Sequence, residues 1–322
     1  MDKISVIIPA YNAEATIQRA CDSVLCQEGP QVELVVVNDG SGDGTAAILD
    51  AYAREDDRVV VIHQENGGVC RARNAGLDGA SGSHILFLDA DDELLPGALQ
   101  TLLNLMQEHR CDIVAGISER VRPDGTSYPR EMPIEGDFEV WKGEQAFRKS
   151  LEDHPATYSV WGKLYRREVL ENIRFVEGKK LHEDSFFLFE VLRQGLSMVV
   201  TRTMVLRYHI TAGSASRSMF SEKFLDMLYF AQRKYDIIAQ YHPELIPLGK
   251  NVLVKANMAL VKNMWKPGAE KFRDVERQCQ KTVRENARYF IPVEPIDKVV
   301  FFVIRLRVFW LFKWAYGLWK GR

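Results

Sequence analysis

Apolar residues in the first hundred positions fall into short unbroken runs separated by amphipathic stretches. Residues 4–8, ended by Pro9, predict a buried strand, because a strand covered on both faces loses its polar alternation. Asn12 is then expected to cap a helix in which Ile17, Cys21, Val24 and Leu25 recur at helical spacing. The next apolar run, residues 32–37, stops at the turn-rich segment 38–44; residues 46–53 predict a helix, 59–62 a strand, 74–79 a helix capped by Asn74, and 85–88 a strand. Strands alternating with helices imply right-handed βαβ crossovers and a mostly parallel sheet. Further on, Leu99, Leu102, Leu103 and Met106 mark a helix after Pro96, and residues 112–121 a strand. Residues 122–137, with Pro123, Gly125, Pro129, Pro133 and Gly136, read as a long loop or irregular hairpin. Beyond about Tyr208 the pattern turns helical: residues 224–241, a helix with Leu253, Ala256, Leu260 and Met264, and a charged one over 271–288.

Composition sets outer bounds on this picture. A chain of 322 residues, 46% hydrophobic and 27% charged, is too apolar for disorder and long enough for one large core plus a smaller unit. Its net charge of −2 excludes a globally basic nucleic-acid binder, so no nucleic-acid partner is expected. Cys21, Cys26, Cys70, Cys111 and Cys279 are odd in number and form no CxxC pair, which speaks against a disulfide framework or a zinc site and for a reducing compartment. The apolar run before Pro9 is too short for a signal peptide, so the chain is expected to start in the cytoplasm.

The candidate chemistry lies where the predicted strands end, which is where open α/β sheets bind ligands. Leu88-Asp89-Ala90-Asp91-Asp92 is the strongest cluster. With strand alternation continued through it, Asp89 and Asp91 would face one ligand, and hard carboxylate oxygens suit Mg²⁺ or Mn²⁺. An isolated DxD is equally a solvated turn that opens the next helix. Asp39-Gly40-Ser41-Gly42-Asp43-Gly44 fails as a calcium loop, because a strand precedes it and a bidentate Glu is lacking, and fails as a dinucleotide fingerprint for want of the third glycine. A plain turn explains its glycines and leaves Asp39 as an acceptor for a base N–H. In Asn66-Gly67-Gly68-Val69-Cys70-Arg71-Ala72-Arg73-Asn74, Arg71 and Arg73 are candidates to neutralise phosphate or clamp a loop, with surface arginines at a helix start as the alternative.

Taken together, Ser5-Val6-Ile7-Ile8-Pro9-Ala10-Tyr11-Asn12, Val37-Asn38-Asp39-Gly40-Ser41, Gly67-Gly68 with Ala72-Arg73-Asn74, and Phe87-Leu88-Asp89-Ala90-Asp91-Asp92 resemble a family 2 glycosyltransferase with the GT-A fold. The resemblance continues through Trp161-Gly162-Lys163-Leu164-Tyr165 and His182-Glu183-Asp184-Ser185-Phe186-Phe187 and thins out after about Ser216. It implies an α/β GT-A domain over residues 1–216, with a nucleotide-binding half of about 1–115 and an acceptor-side half of about 116–216, followed by a helical region over 217–295. It implies an enzyme using a nucleotide-sugar donor, a UDP-sugar, and a saccharide or lipid-linked saccharide acceptor, with inversion and Mn²⁺ or Mg²⁺ as cofactor. Pro9 and Tyr11 would lie on the nucleotide, with Tyr11 stacked on the base and Asp39 paired with it. Asp89 would lie against the ribose, Asp91 would ligate the metal, Arg73 would sit near the nucleotide, and Asp184 would be the catalytic base. Transfer to a polyprenyl phosphate and a sugar-nucleotide-binding module without catalysis are the rival readings. One departure concerns Tyr208-His209-Ile210-Thr211-Ala212-Gly213-Ser214, where many relatives carry an arginine before Gly-Ser; His209 reads as a structural histidine, with a contact to metal or diphosphate as the alternative.

The tail, residues 296–322, differs in kind. It holds six basic residues against one acid, a net of +5 that leaves −7 for the rest of the chain. Its charges interrupt every apolar run before a bilayer-spanning length. At about 100° per residue, Lys298, Arg305, Lys313 and Lys320 fall opposite Val300, Ile304, Leu311, Trp314 and Leu318. The expectation is a basic, aromatic amphipathic helix lying on the inner face of the cell membrane, with a helix packed on protein as the alternative.

Overall fold

The run that begins at Ile4 forms strand β1 (Lys3–Ala10), where Ile4, Val6, Ile7 and Ile8 have no exposed surface. The structure is a computed structural model that describes residues 2–210, 219–264, 269–292 and 295–307. The chain divides into two units, Met1–Ser150 with His154–Ser214, and Leu151–Asp153 with Ala215–Arg322.

In the first unit β1 is followed by α1 (Ile17–Leu25), β2 (Gln31–Asp39), α2 (Thr45–Glu55), β3 (Val59–Gln64), α3 (Val69–Gly79) and β4 (His84–Phe87). Then come β5 (Glu93–Leu94), α4 (Ala98–His109), β6 (Ile113–Val121), β7 (Ser127–Pro129), β8 (Phe138–Lys142) and α5 (Glu144–Lys149). The last elements are β9 (Lys163–Arg166), α6 (Glu183–Leu192) and β10 (Ser197–His209). The sheet runs β3-β2-β1-β4-β9-β6-β10-β5. The β3-β2-β1-β4 half is parallel, β9 is antiparallel to both its neighbours, and β6 and β10 are again parallel. The parallel half is the part the apolar runs predict, because its strands are covered on both faces. Helix α3 lies so close to β1 that a Cβ on Gly76 would stand 2.3 Å from Ile7 Cγ2.

Three local expectations are corrected. Helix α1 starts at Ile17 behind Thr16, while Asn12 sits in the left-handed region at φ 48° and makes no cap. Its carboxamide instead accepts from Gly42 N at 2.8 Å, and its own N–H donates to Ser41 Oγ at 3.0 Å, which ties the β1 and β2 loops together. Helix α3 begins at Val69, five residues before Asn74, because Asn74 is buried inside the helix with its side chain satisfied elsewhere. Its Nδ2 donates to Phe175 O at 3.0 Å and its Oδ1 accepts from Phe175 N at 2.8 Å. Finally, β4 ends at Phe87, so the acidic cluster is a turn closed by Asp92 N on Asp89 O at 3.1 Å, and strand alternation does not orient its carboxylates.

The second unit contains α7 (Asp226–Tyr241), α8 (Ile246–Asn263), α9 (Arg273–Glu285) and α10 (Pro295–Arg305). Helix α10 packs on α8 and α9 through Val300 and Ile304, both fully buried, and Lys262 pairs with Asp297 at 3.3 Å. This corrects the tail reading over the described residues: the face expected to meet the membrane is covered by protein. Outward instead point Val299, Phe302 and Leu306, beside Lys298 and Arg305. Leu311, Lys313, Trp314, Leu318 and Lys320 lie outside the described residues. No helix among the described residues is long and apolar enough to cross a membrane. No disulfide joins the five cysteines.

Candidate active site

The polar strand ends converge through Arg73. Helix α3 carries this side chain, only 4% exposed, against three carboxylates. Its Nη1 donates to Asp184 Oδ1 at 2.6 Å and its Nη2 to Asp89 Oδ1 at 3.0 Å, with Glu183 Oε1 at 3.5 Å and the Phe175 ring 5.3 Å from Cζ. Burial opposes the guanidinium charge, and Asp184, Asp89 and Glu183 outweigh it, so the pKa of Arg73 lies above its usual value. Asp184 and Glu183 occupy the first turn of α6, where a helix N-terminus favours acids. Burial nevertheless raises both carboxyls, with Arg73 opposing the rise in each. The other oxygen of Asp184, Oδ2, accepts from Val160 N at 3.3 Å.

Asp89 is 30% exposed on its side chain and neighbours Asp91 and Asp92 in the same turn. The Asp91 carboxyl is raised by burial and then by Asp89. Asp92 is fully buried and pushed up to about 9 by burial, then by Asp89 and Asp91. Its Oδ1 accepts from His209 N at 3.0 Å, and its Oδ2 has no hydrogen-bond partner among the described residues. The imidazole of His209 lies 2.9 Å from Glu93 Oε1, so this histidine is engaged in the fold.

At the end of β2, Asp39 is 3% exposed. Its Oδ1 accepts from Gln64 Nε2 at 2.6 Å and Gly67 N at 2.9 Å, its Oδ2 accepts from Gly68 N at 2.8 Å, and its backbone O accepts from Asn66 Nδ2 at 2.9 Å. The glycine pair is therefore held onto Asp39. Gly40 is required beside it, at φ 70° with Asn66 N only 2.7 Å from any added Cβ. Pro9 lies in β1 opposite Val37, and Tyr11 follows the strand with 56% of its surface exposed.

Arg73, Asp89 and Asp184 thus meet directly, Asp91 adjoins them, Asp39 reaches them through the start of α3, and Pro9 and Tyr11 stand at the neighbouring strand end. The motif pattern did not mark Lys163 as a member. It is 2% exposed, and burial followed by Arg130 pushes its ammonium down to about 7. Its Nζ donates to Ser159 O at 2.5 Å, and Tyr165 Oη donates to Val160 O at 3.1 Å. Together they fix the segment that offers Val160 N to Asp184. The Trp161-Gly162-Lys163-Leu164-Tyr165 string carried that signal without showing what it holds.

The family model Glycosyl transferase family 2 matches residues 5–174, more than half of the chain. The chain belongs to this family. Over 235 residues this family 2 glycosyltransferase is 34% identical to glycosyltransferase GlyA of Streptococcus pneumoniae, covering 70% of the chain and 33% of GlyA. Over 222 residues it is 32% identical to the succinoglycan biosynthesis protein ExoO of Rhizobium meliloti, covering 66% of the chain and 62% of ExoO. The matched stretches therefore span a third to just under two thirds of these relatives. Among solved structures, TarS 1-349 of S. aureus in complex with UDP-GlcNAc matches with a TM-score of 0.62 at 24% identity, over 89% of this chain and 91% of that one. The fold of this family 2 glycosyltransferase is accordingly GT-A, a mixed central sheet flanked by helices, with C-terminal helices.

Proposed function

We propose that the chain transfers a sugar from a UDP-sugar to a hydroxyl of a saccharide or lipid-linked saccharide, with inversion, in cell-surface polysaccharide or glycoconjugate assembly. The observation that carries this reading is the Arg73 fork, which joins Asp89 of the acidic turn to Asp184, a residue 111 positions from Arg73. In this reading the fork holds a donor-side and an acceptor-side carboxylate on one buried cation, where the two substrates would meet. The likeness to the succinoglycan biosynthesis protein ExoO supports the pathway class, and the UDP-GlcNAc bound to TarS supports the donor class.

In this reading Tyr11 and Pro9 flank the base, Asp89 meets the ribose and Arg73 holds it in place. Asp39 Oδ2 keeps a lone pair for a base N–H, since among the described residues it accepts only Gly68 N. The acceptor hydroxyl gives its proton to Asp184 as its oxygen bonds the anomeric carbon and the bond from that carbon to the nucleoside diphosphate breaks on the opposite face. Burial lifts Asp184 towards working pH, which suits a general base. The acidic turn fits a divalent cation: Asp91 and Asp92 are raised beside Asp89, and Asp92 Oδ2 is a buried oxygen without a partner among the described residues. No three potential ligands gather in a ready-made cage among the described residues, but Mg²⁺ characteristically takes one or two carboxylates and completes its shell with water and phosphate. Asp91 would hold Mg²⁺ or Mn²⁺, which when bound neutralises charge on the leaving diphosphate.

The test is Asp184→Asn in the full chain, assayed against a panel of UDP-sugars with saccharide and polyprenyl-phosphate acceptors. Transfer is expected to fall by about 10²–10⁴ while UDP binding survives. Unchanged transfer overturns the base assignment, transfer to the lipid phosphate alone overturns the acceptor class, and a wild type that fails to bind UDP overturns the whole reading. The chain is further proposed to work in the cytoplasm, on the membrane surface. The outer face of α10 supports this, since Val299, Phe302 and Leu306 are exposed among Lys298 and Arg305, an arrangement suited to an anionic bilayer interface.

A further inference from the structure

Two arginines beside the site have no carboxylate partner among the described residues, whereas Arg73 has three. Arg120, the last but one residue of β6, is in register with Tyr208 of β10 and Tyr128 of β7. Its Nε is buried with no hydrogen-bond partner among the described residues. Arg130 is half-buried and donates from Nη2 to Pro155 O at 3.0 Å, while its Cζ lies 5.6 Å from the Trp161 ring and 5.8 Å from the Tyr158 ring. Neither guanidinium pairs with a carboxylate among the described residues. Burial, then Arg120, pushes Arg130 down to about 10, so the two cations stand close enough to repel. Like charges held together at half-buried positions without a counter-ion are costly, and an anion bound between them would offset that cost.

The surroundings say which anion. Trp161 stacks on Tyr208 with ring centroids 5.6 Å apart and 20° between planes, and Trp161 follows Val160, whose N–H reaches Asp184. Trp161 also bridges to Phe87 at the end of β4, immediately before the acidic turn. The arginines therefore flank an aromatic pair next to the proposed base. In the sheet they sit on the β6 side, across β9 from β4 and away from the β1 and β2 ends that carry Tyr11 and Asp39.

Resting on the glycosyltransferase reading, we propose that the acceptor is anionic: a phosphate or carboxylate near its reacting hydroxyl binds Arg120 and Arg130, and its sugar or polyol carbons lie on the Trp161–Tyr208 pair. Guanidinium forks suit both anions. The donor diphosphate is the competing source of negative charge, and a binding experiment separates the two.

The full chain is saturated with UDP and Mg²⁺ and titrated by ligand-observed NMR with glycerol 3-phosphate against glycerol, and with glucuronate against glucose. The anionic probes are expected to bind about tenfold tighter than their neutral counterparts. That preference should vanish in Arg120→Gln/Arg130→Gln and largely persist in Arg120→Lys/Arg130→Lys, which keeps the charge should the Gln variant fail to fold. UDP affinity should stay within about twofold in both variants, as expected when a charge pair is removed from one ligand only. Equal binding of charged and neutral probes, or equal loss in the Lys and Gln variants, overturns the proposal. So does a tenfold loss of UDP affinity with the anion preference intact. A wild type that does not bind UDP overturns the underlying reading instead, so the two failures are distinct.

Discussion

Arg73→Met is the perturbation with the largest and most structured expected effect. The guanidinium is 4% exposed and its two short contacts, 2.6 Å to Asp184 and 3.0 Å to Asp89, are charge-assisted. Methionine fills much of the volume, so the main loss is the cation, and the cost of stranding buried carboxylates is about 3–5 kcal/mol. With a urea slope near 3 kcal/mol/M that is a midpoint fall of about 1–2 M, read by tryptophan fluorescence. The sign of the pH dependence follows. Burial raises the folded-state carboxyls of Asp184 and Glu183 above the unfolded value of about 4, and Arg73 opposes that rise; without it they rise further, so the folded form binds their protons more tightly. The deficit against wild type is therefore full at pH 8 and shrinks as pH falls through the raised pKa values. Arg73→Met/Asp89→Asn/Asp184→Asn, which removes the stranded charges with the cation, should recover most of the loss. In activity, losing one charged hydrogen bond worth about 1.5–3 kcal/mol should move the acid limb of kcat upward by about 1–2 pH units. A triple variant as unstable as the single one, or a deficit flat in pH, would show that packing and not charge is what Arg73 supplies.

Three smaller predictions follow from other groups. Lys163→Met should lose a pH response that wild type has: the folded pKa is about 7 and the unfolded one about 10.4, so wild-type stability gains about 1.4 kcal/mol per pH unit between them and the variant does not. Urea midpoints of the pair that track each other from pH 7 to pH 9 would refute this. Asp39→Asn turns one accepting oxygen into a donor facing Gly67 and Gln64 or Gly68, and should cost about 1–3 kcal/mol of stability by the same assay together with UDP affinity. Phe302→Glu/Leu306→Glu should abolish sedimentation with phosphatidylglycerol vesicles while leaving UDP binding intact; undiminished sedimentation removes α10 from the membrane contact.

How far the sequence revealed this arrangement depended on how locally each feature is encoded. Strands β1, β2 and β4 are covered on both faces, so burial wrote them as apolar runs. Strand β9 has only four residues, Lys163-Leu164-Tyr165-Arg166, and its apolar pair is bracketed by basic residues; β10 runs over thirteen residues with register shifts between Val200 and Leu206. Neither leaves a clean period. The acidic cluster was legible as chemistry, but the reason given for its geometry failed, since a turn and not a pleat gathers Asp89, Asp91 and Asp92. The contact between Arg73 and Asp184 bridges 111 positions and has no periodic trace, so only a family resemblance could single out Asp184. In the tail the helical period was readable over α10, yet period alone cannot say which apolar face a neighbouring helix has claimed, and the expected face was the wrong one.

The distribution of charge across the first unit gives these pieces a common logic. Around the acidic turn, Asp89, Asp91, Asp92, Glu183 and Asp184 stand against Arg73, whose guanidinium is already engaged by Asp89, Glu183 and Asp184. A diphosphate entering that field alone would be repelled, so the donor is expected to come with a cation of its own, and UDP affinity should depend steeply on Mg²⁺. On the β6 side the balance is reversed, with Arg120, Arg130 and the buried Lys163 close together. The proposed negatively charged acceptor would be drawn to that side and turned away from the acidic turn, which would leave its hydroxyl towards Asp184 between the two fields. The same polarity disfavours binding in the reverse sense, because a free diphosphate held by Arg120 and Arg130 would sit on the β6 side of the sheet, with three strands between it and the β2 end that carries Asp39. Substrate order in this site can thus be written in electrostatics before any shape complementarity is invoked.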